Sequence, residues 1–392
     1  MTLWVFLLAE SLFNLGLFIF FLLFNLHLLD RGFDEAFVGL LTGLATAGSI
    51  CGTLPAGWFT ARFGVGPALR VTFAGGAAVC ALQAWAGGRG TLLLLAALGG
   101  FAASFRAVTI APAVAHLTTE ANRPRAFSLF FGLAIAMGIL GGLVGGRLPE
   151  WVGGMRAKQV SLWMGCGISA LALAPAMFLR FGRAQRPETE RVVYPRTPFV
   201  RRYLGAAAAW NLFVGAFPPF FNTYMLRRHG AAASQIGVAF SFSQLAQVAA
   251  MGAAPALFAR TGLARGIPAT QAAAALLVAL LAPSRGLASA ALVNSLYMAA
   301  QWMSEPGWHS LLMNRVAPAE RGGASALNFL VIFSAQAAAA AGFGAAVSRW
   351  GYPVALVSTA LVGLLAAGLF RALLPDTLRG SPPASRGGTD PA

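Results

Sequence analysis

Two stretches of the chain, about half its length apart, carry the same pattern of asparagine, glycine and arginine side chains. The corresponding pairs are Asn14 and Asn211, Asn25 and Asn222 at an offset of 197 residues, and Gly39 and Gly237, Arg62 and Arg260, Gly64 and Gly262 at an offset of 198. An offset that stays nearly constant through long apolar runs and a loop indicates an internal duplication. The chain is therefore predicted to fold as two similar halves.

The composition indicates that both halves lie in a membrane. The chain is 58% hydrophobic and 10% charged, whereas a soluble domain carries about 25% charged residues. The charges cluster between twelve apolar runs of roughly 20 residues, the length that crosses a bilayer. We expect an all-α membrane protein with twelve transmembrane helices in two pseudo-symmetric six-helix bundles.

The polar stretches divide the chain into four parts. Residues 1–180 are predicted to form the N-terminal bundle and residues 203–374 the C-terminal bundle. The segment 181–202 between them is polar and arginine-rich, and is predicted to be a cytoplasmic linker. The tail at 375–392 is rich in Pro, Gly and Ser, which predicts a disordered cytoplasmic segment.

A net charge of +16 raises the question of nucleic acid binding. The distribution of the charge argues against it, because roughly twice as many Lys and Arg residues flank the runs on the side that holds both termini. This bias predicts cytoplasmic termini in a bacterial inner membrane, with lipid headgroups as neighbours of the basic residues. We expect a monomer without cofactor or metal, since the three cysteines are scattered within apolar runs.

The loop after the second run carries a recognisable motif. It reads Gly57-Trp-Phe-Thr-Ala61-Arg62-Phe63-Gly64, which resembles the signature loop of the major facilitator superfamily. That signature is Gly, three residues, Asp-Arg, one residue, Gly and then basic residues. Ala61 stands at the acidic position here, and Val65 begins a stretch that is not basic.

The second half carries a reduced copy of the same motif, with Ala259 before Arg260 and Gly262. The resemblance to the superfamily extends over nearly the whole chain. It implies two six-helix bundles that alternate access to a central cavity, lined by the first, fourth, seventh and tenth helices. It also implies that the loop residues Gly57, Arg62, Gly64, Arg260 and Gly262 take part in the conformational switch.

Small residues mark where helices are predicted to approach closely. Gly138, Gly142 and Gly146 recur at four-residue spacing in the fifth run. This spacing makes a flat helical face against which another helix can pack and slide. A comparable run of alanines and glycines lies in the eleventh apolar run.

Three charged residues lie inside apolar runs: Glu10, Arg106 and Glu305. A charge near mid-bilayer is costly, so such groups usually face a cavity or a partner. The helical rise places all three at a similar depth, so we expect a Glu10–Arg106 pair with Glu305 facing it from the other half. Alternatively, Glu10 reaches the interface, Arg106 bonds helix-end carbonyls, and Glu305 satisfies backbone groups freed by Pro306.

Polar residues accompany these charges along single helical faces. The candidate binding residues are Glu10, Asn14, Asn25, Arg106, Asn211, Asn222, Gln244, Gln301, Trp302, Glu305 and His309. Asn211 and Asn222 flank Pro218-Pro219, which is predicted to break or kink the seventh helix. The alternative for each amide is a hydrogen bond between helices.

The sequence contains no phosphate-binding loop, nucleophile elbow or zinc-protease motif, so neither an ATP-driven pump nor an enzyme is expected. The leading hypothesis is a proton-coupled secondary transporter of a small organic solute, with export of an amphipathic or cationic compound favoured by the surplus carboxylate. Glu305 is predicted to be the proton-sensitive group and Arg106 to set its ionisation. Uptake of a sugar or organic anion, and a sensor or assembly factor that transports nothing, stay open as alternatives.

Overall fold

The computed structural model describes residues 2–119, 122–179, 181, 194–317 and 320–374, and within them the chain is helical without strands. The helices are α1 (Thr2–Asp30), α2 (Glu35–Phe63), α3 (Val65–Trp85), α4 (Arg89–Leu117), α5 (Arg123–Val152), α6 (Ala157–Leu171), α7 (Leu173–Met177), α8 (Pro198–Val214), α9 (Phe221–His229), α10 (Ala233–Thr261), α11 (Leu263–Leu281), α12 (Leu287–Arg315) and α13 (Arg321–Leu373). Most of the predicted linker and the whole predicted tail lie outside the described residues.

Ten of the described stretches are long and apolar enough to cross a membrane. One of them, α13, is 53 residues long and turns at Gly351. The φ of Gly351 is 78°, a value that glycine adopts readily and other residues avoid. It therefore has two arms, each long enough to cross. The polar helix α12 has 29 residues but is not among the ten. If α12 and both arms of α13 cross, the count is twelve, which stays a prediction.

The seventh predicted run is interrupted at the expected place. Here α8 ends at Val214, a 3₁₀ turn covers Pro218–Phe220, and α9 begins at Phe221. The two prolines lack the amide hydrogens that a continuous α-helix would use. The break predicted from Pro218-Pro219 is therefore confirmed.

The C-terminal bundle begins earlier than predicted. The first turn of α8 starts at Pro198, inside the segment assigned to the linker. The Thr197 side chain accepts a hydrogen bond from the Val200 amide and thereby caps the helix. Proline at the first helical position also favours a start here. Apolarity alone placed the boundary at 203 because Arg201 and Arg202 interrupt the apolar run within the first turns of the helix.

The two halves repeat each other in local detail. The Asn14 side chain donates to the Glu10 carbonyl at 2.8 Å, and that of Asn211 donates to the Ala207 carbonyl at 2.9 Å. Gly64 and Gly262 end α2 and α10 in the same way, with φ of 91° and 69°. Both positions need glycine because of the positive φ. The duplicated architecture predicted from the constant offset is thus confirmed.

The bundles meet at the end of the molecule where α1 finishes and α2 begins, which we call the loop end. The opposite end, where α1 begins, is the terminal end. At the loop end α2 packs on the first arm of α13, and α5 packs on α10. A Cβ on Gly39 would lie 2.5 Å from the Ala340 carbonyl oxygen, and one on Gly237 would overlap the Gly142 carbonyl. These two contacts are related by the 198-residue offset.

Polar contacts between the bundles also lie at the loop end. Asn25 donates to the Pro219 carbonyl at 2.8 Å, and Asn222 donates back to the Leu22 carbonyl at 3.0 Å. The side chains of Arg227 and Glu35 approach to 3.4 Å. We call these contacts, together with the glycine contacts, the loop-end seal. Apart from the Arg227–Glu35 approach, the contacts of the seal come in pairs that respect the pseudo-symmetry of the bundles.

Candidate functional site

A cavity of about 540 Å³ lies between the two bundles, on the terminal side of the loop-end seal. This volume falls in the usual range for small-molecule sites. Phenylalanines form much of its wall: Phe13, Phe20, Phe21, Phe24, Phe221, Phe240 and Phe333. Amides and hydroxyls of both bundles interrupt this apolar surface, so the cavity offers an apolar enclosure with few polar anchors.

Arg106 is the charged residue among those that line the cavity. Its Nε and Nη2 donate to Oε2 of Glu10 at 3.1 and 2.9 Å, and Nη2 also donates to Oδ1 of Asn14 at 3.1 Å. The guanidinium carbon lies 5.9 Å from the centre of the Phe13 ring. The structure thus brings together Glu10, Asn14 and Arg106, and the ion pair expected between helices 1 and 4 is formed.

The two partners of this ion pair are unequally exposed. The Glu10 side chain is 3% exposed and that of Arg106 is 23% exposed. Oε1 of Glu10 is buried and has no hydrogen-bond partner among the described residues. Arg106 therefore exposes part of its guanidinium to the cavity. Glu10 lies buried beside it, and one Glu10 carboxylate oxygen has no hydrogen bond among the described residues. A buried carboxylate in this position depends on Arg106 for its charge balance.

Amide side chains of the C-terminal bundle form hydrogen bonds with neighbouring polar side chains of the same bundle. Asn294 donates to the Ser243 hydroxyl at 2.8 Å, and Gln336 donates to Oδ1 of Asn211 at 2.8 Å. Asn294, Ser243 and Gln336 line the cavity, whereas Asn211 lies behind Gln336. Asn211 therefore contacts a lining residue without lining the cavity itself in this conformation.

Three further predicted amides line the cavity: Asn25, Asn222 and Gln244. Asn25 and Asn222 belong also to the loop-end seal, where each donates to a carbonyl of the opposite bundle. A solute that contacts either side chain would thus touch a residue that holds the bundles together. This double placement connects the cavity with the seal.

Glu305 departs from the expected arrangement. It does not line the cavity in this conformation, and the residue it approaches is His309, at 3.9 Å. Its side chain is 28% exposed, compared with 3% for Glu10. The depth along each helix carries no information on which side chains line the cavity between the bundles. The surplus carboxylate expected beside Arg106 is therefore absent from the described lining.

Gln301, Trp302 and His309 also lie outside the lining. Gln301 and Trp302 each have a buried polar atom without a partner among the described residues. The His309 side chain is 55% exposed. The stripe on α12 thus contributes to the cavity through Asn294 and Met298, nearer the loop end than predicted.

The predicted switch loops lie at the terminal end. Arg62 is exposed and stacks near Trp58 and Phe63 of its own helix, at 5.9 and 5.7 Å. Arg260 is exposed as well. A Cβ on Gly57, Gly64 or Gly262 would meet nothing within 4 Å. In this conformation Gly57 lies within α2, and Gly64 and Gly262 cap the ends of α2 and α10. The role of these residues in switching stays a proposal.

The three glycines at four-residue spacing all face α10. A Cβ on Gly138 would lie 2.9 Å from Nε2 of Gln244, and one on Gly146 would lie 2.6 Å from the Ala233 carbonyl oxygen. A Cβ on Gly142 would lie 2.5 Å from the Ser241 hydroxyl. This helix face therefore belongs to the contact between the two bundles.

Several lining residues escaped the sequence-based prediction. Gln83 is the single amide of α3, and Gln336 shares the apolar helix α13 with one other amide, Asn328. The lining phenylalanines resemble the many that face lipid, because both environments are apolar. The one available signal was the presence of an amide in an otherwise apolar run.

Comparison with known proteins identifies the family. The model of the Major Facilitator Superfamily matches residues 6–340. A search of curated protein sequences gives no match.

Three solved structures share the fold. A mutant of the nucleoside transporter NupG has a TM-score of 0.82 and 13% identity, covering 95% of this chain and 99% of its own. An inward-facing bacterial homologue of the human lysosomal transporter Spinster has a TM-score of 0.79 and 12% identity. The match covers 96% of this chain and 97% of the homologue. A D-xylose–proton symporter has a TM-score of 0.77 and 15% identity. The match covers 96% of this chain and 98% of the symporter. At these identities the likeness concerns the fold alone.

Proposed function

The chain belongs to the major facilitator superfamily, and we propose that it is a secondary active transporter of a small organic solute, with protons as the coupling ion. The observation that carries this proposal is the Glu10–Arg106 ion pair at the wall of an apolar cavity between the bundles. Family and fold point to a transporter rather than an enzyme. The bundles alternate between a state sealed at the loop end and one sealed at the terminal end.

The ion pair offers a route for proton coupling. Arg106 neutralises Glu10 while both are ionised, and Asn14 supports the arrangement through its bond to Arg106. When a solute shares Arg106 with Glu10, the neutralisation of Glu10 is weakened in a poorly solvated place. A buried carboxylate without a partner is costly, which favours uptake of a proton. Binding of a solute at Arg106 and protonation of Glu10 thus favour each other.

The lining bears on the charge of the solute. The expectation of a cationic substrate and of its export rested on a carboxylate surplus in the cavity, but Arg106 is the charged residue of the described lining. A cationic solute would approach the positively charged guanidinium, and the described lining holds no carboxylate to balance the two positive charges. We therefore propose a neutral or anionic solute that moves in the same direction as the proton.

The orientation in the membrane is a second element of the proposal. The terminal end carries the larger share of basic residues, and by the positive-inside rule this bias supports a cytoplasmic terminal end. The state sealed at the loop end is then open towards the cytoplasm. Tyr194 lies at the terminal end and Met155 at the loop end, and both side chains are exposed.

Cysteines at these two positions test the orientation. In a background without Cys51, Cys80 and Cys166, a membrane-impermeant maleimide added to intact cells should label Met155→Cys and spare Tyr194→Cys. The reason is that only the loop end meets the outer solution. Permeabilised cells, in which both positions should react, provide the control. Labelling of Tyr194→Cys in intact cells would overturn the orientation.

Neutral replacements of the two acids test the coupling site. Glu10→Gln should abolish accumulation driven by a pH gradient in proteoliposomes while solute exchange persists, because the amide cannot take up the proton. Glu305→Gln serves as the matched control at the other acid, and accumulation driven by a pH gradient should persist in this variant. The reverse pattern would return the coupling role to Glu305. Loss of solute exchange in the unmodified protein, across a broad panel of solutes, would favour a sensor instead.

A further inference from the structure

The protein uses only some of the hydrogen-bond donors of the Arg106 guanidinium. Nε and Nη2 bond to Glu10, and Nη2 reaches Asn14 as well. Nη1 has no hydrogen bond to the described residues, and the side chain lines the cavity. An arginine carries five donors in a planar fork that matches a carboxylate. The edge of the guanidinium that faces the cavity is therefore suited to hold a second carboxylate.

The rest of the lining restricts what that carboxylate can be attached to. Phe13 lies beneath the guanidinium, and Phe240 and Phe333 of the lining are half-buried, so that part of each ring faces the cavity. These rings favour a flat apolar body by stacking and by burial. Asn294 and Gln336 direct their amide nitrogens to protein oxygens, which leaves their carbonyl oxygens as acceptors at the cavity. A solute hydroxyl or N–H would meet them there.

Resting on the proposed function, we infer that the substrate class is an aromatic monocarboxylate, and that each molecule crosses with one proton bound at Glu10. The carboxylate is held by Arg106, the ring lies against the phenylalanine wall, and hydrogen-bond donors of the solute face the amides of the C-terminal bundle. A dicarboxylate would bring a second charge into a lining whose only described charged side chain is Arg106.

The proton count follows from the charges that meet at Glu10. Away from their ends, helices α2 to α7, which pack on α1, carry four ionisable side chains: Cys51 on α2, Cys80 on α3, Arg106 on α4 and Cys166 on α6. Among the described residues, Arg106 is the one that bonds to Glu10. The empty site is neutral as an ion pair, and one bound carboxylate makes it negative. One proton on Glu10 restores neutrality, so the loaded carrier moves without net charge.

Matched sets of ligands test the substrate class on the purified full chain. Each set keeps one ring and varies its substituent: benzoate, benzamide and benzylamine, the 4-hydroxyphenyl series, and the indole-3-carboxylate series. We expect the acids to raise the melting temperature and to bind about tenfold or more tightly than the amides and amines, because a site built for a charged hydrogen bond rejects analogues that lack it. Arg106→Gln should remove this preference, and exposed Arg349→Gln should keep it.

Transport in proteoliposomes tests the proton count. Accumulation of the best acid should follow the pH gradient and should not change when potassium and valinomycin impose a membrane potential. Dependence on the potential would overturn the one-to-one count. A preference for amides or amines, a lack of binding by every acid, or an acid preference that persists in Arg106→Gln would overturn the substrate class. Proton-driven transport of a neutral solute would then leave the proposed function standing, whereas no transport of any solute would reject it.

Discussion

Arg106→Ala should reduce transport to the background of empty liposomes and also destabilise the protein. The substitution leaves Glu10 buried with neither oxygen neutralised, and loss of one partner of a buried ion pair costs about 3–5 kcal/mol. The variant also lacks the charged group of the described cavity lining. Thermal unfolding in detergent and solute exchange in proteoliposomes measure the two effects separately.

A double variant separates stability from function. Glu10→Gln combined with Arg106→Ala removes the unpaired charge, so the melting temperature should return towards that of the parent while transport stays absent. Arg349→Ala, at an exposed position, serves as the control and should change neither quantity. Normal exchange in Arg106→Ala would show that the ion pair is no part of the transport site.

Gly142→Leu should impair transport far more than expression. In the present conformation even a Cβ at this position would lie 2.5 Å from the Ser241 hydroxyl and 3.0 Å from the Gly237 carbonyl oxygen. A leucine would therefore wedge α5 away from α10 and disfavour the sealed loop end. Overpacking costs about 1–3 kcal/mol, which corresponds to roughly a fivefold to 150-fold shift in the conformational equilibrium. Exchange in proteoliposomes, normalised to the amount of inserted protein, measures the effect.

Gly132→Leu provides the matched control on the same helix. A Cβ at Gly132 meets nothing within 4 Å, so the same substitution there should leave transport close to that of the parent. Equal losses in both variants would indicate a general intolerance of α5 to leucine. Normal transport in Gly142→Leu would mean that the contact with α10 does not limit the alternation.

The sequence predicted the architecture because the constraints of a membrane are strong and local. A bilayer requires apolar runs of a certain length, and a duplication leaves its offset in the numbering. The Asn14 and Asn211 bonds and the caps at Gly64 and Gly262 follow directly from that repeat. The start of α8 was misplaced because Thr197 and Pro198 act through capping rather than through apolarity.

The site was only partly predictable. Glu10 and Arg106 could be paired in advance, since an uncompensated charge at that depth is costly and few partners exist. The depth of Glu305 along its helix carries no information on whether its side chain lines the cavity between the bundles. Gln83 and Gln336 were missed because an isolated amide in an apolar stretch is equally compatible with a hydrogen bond between helices.

The most direct test of alternating access is a pair of distance measurements between the bundles by electron spin resonance. One pair of spin labels spans the loop end, at Met155 and Arg349, and the other spans the terminal end, at Phe63 and Thr261; all four positions are exposed. When pH is varied or a stabilising solute is added, the two distances should change in opposite directions, with the terminal end closing as the loop end opens. Distances that stay fixed, or that lengthen together, would contradict a transporter that alternates between two sealed states.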